Sequence, residues 1–202
     1  MEKMEIRSFG GDAAPKLVDE KTIEGYAVVF GQESRVMFDP QKKRFFIEII
    51  ESGAITDELL RSCDIKALCE HNRERMLARS FNGAGSLSLS VDGHGVKYRF
   101  EAPATIEGQY VQEMVKRGDL FGSSFAYITD EKNNVSYEKR SDNMLVRRVK
   151  KITRMFDVSV VSDPAYMGTD VNVRSLDAYF EQPDESYKRD VEELRNQSKI
   201  SR

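Results

Sequence analysis

The segment that organises this chain reads Leu120-Phe121-Gly122-Ser123-Ser124-Phe125-Ala126-Tyr127-Ile128, and it alternates between small and large side chains. Such alternation predicts a β-strand, because successive side chains of an extended chain point to opposite faces. The aromatic residues share one face and are expected to enter a core. Ser124 lies on the other face between Gly122 and Ala126, where small neighbours leave room for a substrate to approach a nucleophile. An ordinary strand serine that bonds to water or backbone fits the same pattern.

Composition limits the kinds of protein that the chain can form. Its 202 residues, 40% of them hydrophobic, suit one main domain. The net charge of −3 gives no basic surface, so no nucleic-acid partner is expected. No apolar run has the length of a signal peptide or a membrane span, which predicts a soluble intracellular protein without a membrane partner. Cys63 and Cys69 are the only cysteines, and we expect both to be reduced.

Local patterns predict most of the elements around the serine segment. Strands are expected at 22–31 and 44–50, in one sheet, and at 64–72 and 155–161; a hairpin is expected over 86–100, and helices at 56–61 and 106–117. Residues 1–21 are predicted to be a loose lead-in, with an edge strand as the alternative. The main domain is expected to cover 22–170, and the charged tail at 171–202 is expected to be helical or disordered.

The chain has two histidines that could serve as a base. His94 lies in Asp92-Gly93-His94-Gly95, a turn signature, and we consider a hairpin tip a poor place for a catalytic base. His71 follows a predicted strand, so it is the candidate if the protein uses a histidine. A surface or core histidine with no catalytic role is the alternative for His71.

A single acid lies inside the apolar run 155–161. Burying the carboxylate of Asp157 is costly unless another group pairs with it, and an edge strand would remove that cost. With Ser124 and His71 it completes a set of nucleophile, general base and orienting acid. The order His, Ser, Asp differs from that of chymotrypsin, subtilisin and the α/β-hydrolases, and the Gly-x-Ser-x-Gly elbow is absent. The residues by themselves therefore do not identify the fold.

Four blocks of the sequence together resemble one known family. They are Glu24-Gly25-Tyr26-Ala27-Val28-Val29-Phe30, His71-Asn72, Gly122-Ser123-Ser124-Phe125-Ala126-Tyr127, and Phe156-Asp157-Val158-Ser159-Val160-Val161 followed by Pro164-Ala165-Tyr166. In this order the chain is similar to the prohead (procapsid) maturation proteases of tailed bacteriophages, which are related in fold to the herpesvirus assembly proteases. The resemblance covers roughly residues 22–166. It implies an α+β, mainly β fold with a β-barrel-like core flanked by helices.

The resemblance also implies the site and its chemistry. Ser124 would be the nucleophile, His71 its general base and Asp157 the third member, in a serine endopeptidase that needs neither a cofactor nor a metal. Many family members have glutamate in place of Asp157, so either its strand lies closer to His71 or the acid acts through water. An oxyanion role for Arg147 or Arg148 is an analogy to the viral relatives, and a solvated strand face is the alternative.

The expected partners follow from the same resemblance. The substrates would be the phage major capsid protein, scaffold segments resembling a delta domain, and the protease itself, inside the procapsid in the host cytoplasm. The gene could belong to a prophage in a bacterium, and the viral relatives suggest a homodimer.

Two other interpretations stay open at this point. One is an inactive scaffolding or assembly protein that keeps the protease fold. The other is a metal site formed by Cys63, Cys69 and His71, although the five-residue gap between the thiols matches no common zinc spacing.

Overall fold

The computed structural model describes residues 4–39 and 42–163, and this part of the chain is mainly β. The α-helices are α1 (Asp57–Ser62) and α2 (Ile106–Arg117), and a 3₁₀ helix spans Gly11–Ala13. The strands are β1 (Glu5–Phe9), β2 (Lys16–Leu17), β3 (Thr22–Val29), β4 (Met37–Asp39), β5 (Arg44–Ile50), β6 (Asp64–Cys69), β7 (Asn72–Phe81), β8 (Ala84–Gly85), β9 (Leu87–Val91), β10 (Gly95–Glu101), β11 (Gly122–Ile128), β12 (Val135–Lys139), β13 (Leu145–Val149) and β14 (Arg154–Val161).

The strands form three sheets. The largest has the order β1-β11-β14-β6-β7-β8, and the two four-stranded sheets have the orders β2-β3-β10-β9 and β12-β13-β5-β4. Two pairs, β14 with β6 and β13 with β5, are parallel, and the other pairs are antiparallel. No pairing within residues 4–39 and 42–163 closes a sheet into a barrel, so the barrel-like core stays a prediction.

Helix α2 begins and ends where its sequence predicts. The Thr105 hydroxyl accepts a hydrogen bond from the Gly108 amide, and Gly118 ends the helix with a positive φ of 79°. The predicted single sheet for residues 22–31 and 44–50 is wrong. Strand β3 pairs with β2 and β10, whereas β5 pairs with β4 and β13. The partners β10 and β13 lie far from β3 and β5 in sequence, so local pattern gives no information about which sheet each strand joins.

Residues 5–9 form an edge strand, which is the second of the two interpretations for this segment. Strand β1 pairs antiparallel with β11, and the buried ring of Phe9 stacks on Phe125 with their centroids 6.2 Å apart. Order therefore begins well before residue 22. The predicted end of the main domain at residue 170 and the predicted tail at 171–202 lie outside the described residues.

Strand β11 buries most of its aromatic face as predicted. Phe125 and Tyr127 are completely buried, but Phe121 is 41% exposed because the strand begins one residue after it. Ser123 shares the buried face, where its hydroxyl lies 2.8 Å from that of Tyr98 and donates to the Ala13 carbonyl. Ser123 is therefore a structural serine that joins β11 to β10 and the N-terminal segment.

Gly25 leaves space for the contact between the hydroxyl groups of Tyr98 and Ser123, which lie on two different sheets. A Cβ at Gly25 would lie 2.6 Å from the Tyr98 hydroxyl and 3.0 Å from the Ser123 hydroxyl. We expect Gly25→Ala to lower the free energy of unfolding by about 1–3 kcal/mol, as overpacking of a filled core does. Urea denaturation measures the change.

Gly93 is the matched control for this substitution. A Cβ at Gly93 meets nothing within 4 Å, so Gly93→Ala is expected to change stability by less than about 0.5 kcal/mol. Equal unfolding midpoints for the two variants would contradict the steric explanation for Gly25.

No helix within the described ranges is both long enough and apolar enough to cross a bilayer.

Candidate active site

The register of the central sheet places the predicted nucleophile and acid side by side. Ser124 on β11 lies opposite Ser159 on β14, and Ala126 lies opposite Asp157. Residues opposite or two apart share a face of the sheet, so the side chains of Ser124, Ser159 and Asp157 point the same way. Strand β14 is paired on both sides, by β11 and β6, which contradicts the edge position considered for Asp157.

The predicted base lies in a tight turn at the end of β6. Glu70 and His71 alone separate Cys69 from Asn72, and both have a φ of 54°, as two-residue hairpin turns of type I′ require. The Glu70 amide donates to the Val160 carbonyl, and its carboxylate accepts from the Ser162 amide. These bonds fasten the turn to the end of β14. Two consecutive non-glycine residues with positive φ are costly, and such strain is concentrated at functional sites.

The three predicted residues meet at this point. His71 Nδ1 lies 2.7 Å from Asp157 Oδ1, and His71 Nε2 lies 2.5 Å from Ser124 Oγ. Asp157 therefore contacts the imidazole directly, without the water considered for its short side chain. The acid is 9% exposed and Ser124 is completely buried. The contact with His71 supplies the partner that a carboxylate in an interior strand needs.

Strand β1 contributes two further contacts to Ser124. The Ser8 hydroxyl donates to Ser124 Oγ at 2.8 Å, and Ser124 Oγ lies 2.8 Å from the Arg7 carbonyl oxygen. A carbonyl can only accept, and a serine hydroxyl has one proton, so Ser124 donates either to Arg7 or to His71 at any moment. Transfer of its proton to the imidazole therefore requires the hydroxyl to turn away from β1.

Ser159 contacts the other end of the site. Its hydroxyl donates to Asp157 Oδ1 at 2.8 Å and lies 3.2 Å from His71 Nδ1. Neither Ser159 nor Ser8 was predicted from the sequence. The spacing of two between Asp157 and Ser159 in a strand is a usable signal, whereas the pairing that brings Ser8 to Ser124 spans 116 residues and leaves no local pattern.

Comparison with known proteins identifies the family of the chain. A family model described as Caudovirus prohead serine protease matches residues 12–182. The chain belongs to this family. Membership makes it a serine peptidase of capsid maturation, with capsid proteins as its general class of substrate, that acts in the procapsid inside the host cell.

The structure of the bacteriophage T4 capsid assembly protease, gp21, is similar with a TM-score of 0.41 and 13% sequence identity, over 81% of this chain and 99% of that chain. No curated protein matches the chain.

Arg147 of this prohead protease does not belong to a solvated strand face. Arg147 is 3% exposed, and its guanidinium binds the carboxylates of Glu48, Glu5 and Glu131. Burial alone would raise the pKa of Glu48, but Arg7 and Arg147 hold it below its ordinary value. We call the group formed by Glu5, Arg7, Glu48, Tyr127, Glu131 and Arg147 the ionic cluster. The guanidinium group of Arg147 is therefore occupied by ion pairs with carboxylates.

The other residues that the sequence offered as a base or as metal ligands are His94 and the two cysteines. His94 lies in the hairpin turn that leads into β10, and its ring packs edge-on against Tyr26 of β3. Cys69 is completely buried, and burial raises the pKa of its thiol to about 11. Across the ranges 4–39 and 42–163, no group of three or more His, Cys, Asp or Glu side chains is arranged to hold a metal ion.

Proposed function

We propose that this protein is a serine endopeptidase in which Ser124, His71 and Asp157 act as a catalytic triad. The single observation that carries the proposal is the chain of contacts from Asp157 Oδ1 through both ring nitrogens of His71 to Ser124 Oγ, at 2.7 and 2.5 Å. The distances lie within reach of hydrogen bonds between a nucleophile, its base and the acid that orients the base.

Acylation begins with the proton of Ser124. His71 Nε2 accepts it while Ser124 Oγ attacks the scissile carbonyl carbon, and the carbonyl π electrons move to oxygen to form a tetrahedral oxyanion. Asp157 accepts a hydrogen bond from the Nδ1–H of His71 throughout, which keeps Nε2 available as the base and stabilises the imidazolium that forms. When the oxyanion collapses, the bond from carbon to the leaving nitrogen breaks and His71 gives its proton to that nitrogen.

Deacylation repeats these steps with water in place of the serine. His71 takes a proton from the attacking water, the acyl bond to Ser124 Oγ breaks, and the proton returns to the serine hydroxyl. All proton transfers pass through His71 Nε2, so the triad handles every proton that the substrate, Ser124 and water exchange.

The substrates that we propose are extensions of the major capsid protein, scaffold segments and the protease itself. Family membership supports a capsid protein as the class of substrate. A homodimer and an origin in a prophage are further parts of the proposal, and neither is needed for the chemistry of the triad.

The test combines labelling and processing. The full chain is incubated with a serine-directed phosphonate, and it is also expressed together with the capsid protein of the same phage. We expect a phosphonate adduct on the Ser124 peptide by mass spectrometry, and shortened capsid products on a gel.

Ser124→Ala is the matched control, since it removes only the hydroxyl oxygen. It should give neither the adduct nor the shortened products. Processing by Ser124→Ala at the wild-type rate would show that the nucleophile is assigned wrongly. A wild-type protein that neither reacts nor processes, although it assembles with capsid subunits, would favour the inactive scaffolding protein.

A further inference from the structure

Ser159 closes a ring of three polar atoms at the acid end of the triad. Its Oγ lies 2.8 Å from Asp157 Oδ1 and 3.2 Å from His71 Nδ1, and those two atoms are 2.7 Å apart. The side chain is 2% exposed, so water does not compete strongly for the hydroxyl. Asp157 and Ser159 lie on β14, which pairs with β6, and the turn that carries His71 follows β6 and is bonded to β14 through the Glu70 amide.

The protons in this ring can be assigned from the chemistry of its members. An ionised carboxylate only accepts, so the single proton of Ser159 points at Asp157 Oδ1. The oxygen of Ser159 then presents a lone pair toward His71 Nδ1. The Nδ1 proton thus has two acceptors, a short one on Asp157 and a longer one on Ser159.

We propose that Ser159 is a positioning residue that holds Asp157 and the Nδ1–H of His71 in their productive arrangement. This inference rests on the proposed function of the triad. The hydroxyl restrains the carboxylate by donating to it and restrains the imidazole by accepting from it. Both effects favour the tautomer in which Nε2 is free to accept the proton of Ser124.

Ser123 shows what a purely structural serine in this sheet does. Its buried hydroxyl contacts Tyr98 and the Ala13 carbonyl, on the face of β11 opposite to the triad. Ser159 is buried to a similar degree but takes its partners from the triad. Of these two buried serines, Ser159 is the one whose hydroxyl contacts Asp157 and His71.

The test compares Ser159→Thr with Ser159→Val in the full chain. Threonine and valine have nearly the same shape, so packing changes equally and only the hydroxyl differs. The rate of phosphonate labelling at Ser124 should stay near wild type in Ser159→Thr and fall on the order of tenfold in Ser159→Val, as is usual when a partner that orients a functional histidine is lost. The same pair of substitutions at Ser80, a buried serine on β7 of this sheet, should give equal rates.

Proton NMR observes the Nδ1–H of His71 directly, and the threonine and valine variants are compared at equal packing. We expect a low-field Nδ1–H signal in the wild type and in Ser159→Thr, assigned by its loss in His71→Gln, and a shifted or broadened signal in Ser159→Val. Equal labelling rates and equal signals for the threonine and valine variants would overturn the role of Ser159.

The two proposals fail in different ways. A wild-type chain that the phosphonate does not label at Ser124 overturns the proposed function, and the role of Ser159 falls with it. A labelled wild type with indistinguishable Ser159 variants overturns the role of Ser159 alone.

Discussion

Replacement of Asp157 by asparagine is expected to lower kcat for peptide cleavage by about 10⁴-fold, with little change in KM. The asparagine amide has nearly the shape of the carboxylate, so the sheet should fold normally. Its neutral side chain no longer stabilises the imidazolium, and its NH₂ group can donate to Nδ1 of His71. The imidazole then carries its proton on Nε2, which cannot accept the proton of Ser124.

The measurement is cleavage of capsid protein by purified variants, with thermal unfolding as a check on the fold. Asp163→Asn is the matched control, because its carboxylate is largely exposed and pairs with Arg35 at the surface. The control should keep wild-type activity. An Asp157→Asn enzyme that keeps more than about a tenth of wild-type kcat would show that the acid does not set the tautomer of His71.

Local sequence is sufficient to predict elements whose ends are set by neighbouring residues. Helix α2 is the clearest case, since Thr105 and Gly118 set its two ends through their own backbone and side chain. Strand β14 was predicted from its apolar run, but its interior place was not, because that depends on pairing with β11 and β6.

The sequence predicted Ser124, His71 and Asp157 but not the serines that contact them. Local pattern made Ser124, His71 and Asp157 candidates, and the family resemblance gave them their roles. His71 lies within hydrogen-bond distance of both other side chains. His71 itself occupies a two-residue turn, so a place in a hairpin turn does not separate His71 from His94. What makes that turn suitable is its attachment to β14, which no local pattern encodes.

The ionic cluster was not predicted from the sequence, and the reason is physical. Arg7, Glu48 and Arg147 come from three distant parts of the chain, so each one looks like an ordinary strand charge by itself. Only the fold shows that their charges are buried together.

The second large effect is expected on stability, from Glu48→Gln. Glu48 is completely buried and binds Arg7 and Arg147, whose side chains are 11% and 4% exposed. Removing its charge takes away the most deeply buried carboxylate that neutralises these two guanidinium groups. Their other carboxylate partners include Glu5 and Glu131, whose side chains are 19% and 45% exposed. Loss of one member of a buried ion pair costs about 3–5 kcal/mol, and we expect a decrease of that order in the free energy of unfolding.

Urea denaturation of Glu48→Gln and Glu138→Gln measures how much of this effect comes from burial. Glu138 binds Arg148 at 2.6 Å, but its side chain is 53% exposed, so the same substitution there should cost at most about 1 kcal/mol. Equal unfolding midpoints in the two variants would contradict a stabilising role for the ionic cluster.

Because the Arg7 carbonyl contacts Ser124, loosening β1 should also slow phosphonate labelling in Glu48→Gln but not in Glu138→Gln. The cluster would then support Ser124 as well as the fold, through β1, which carries Arg7 and contacts Ser124.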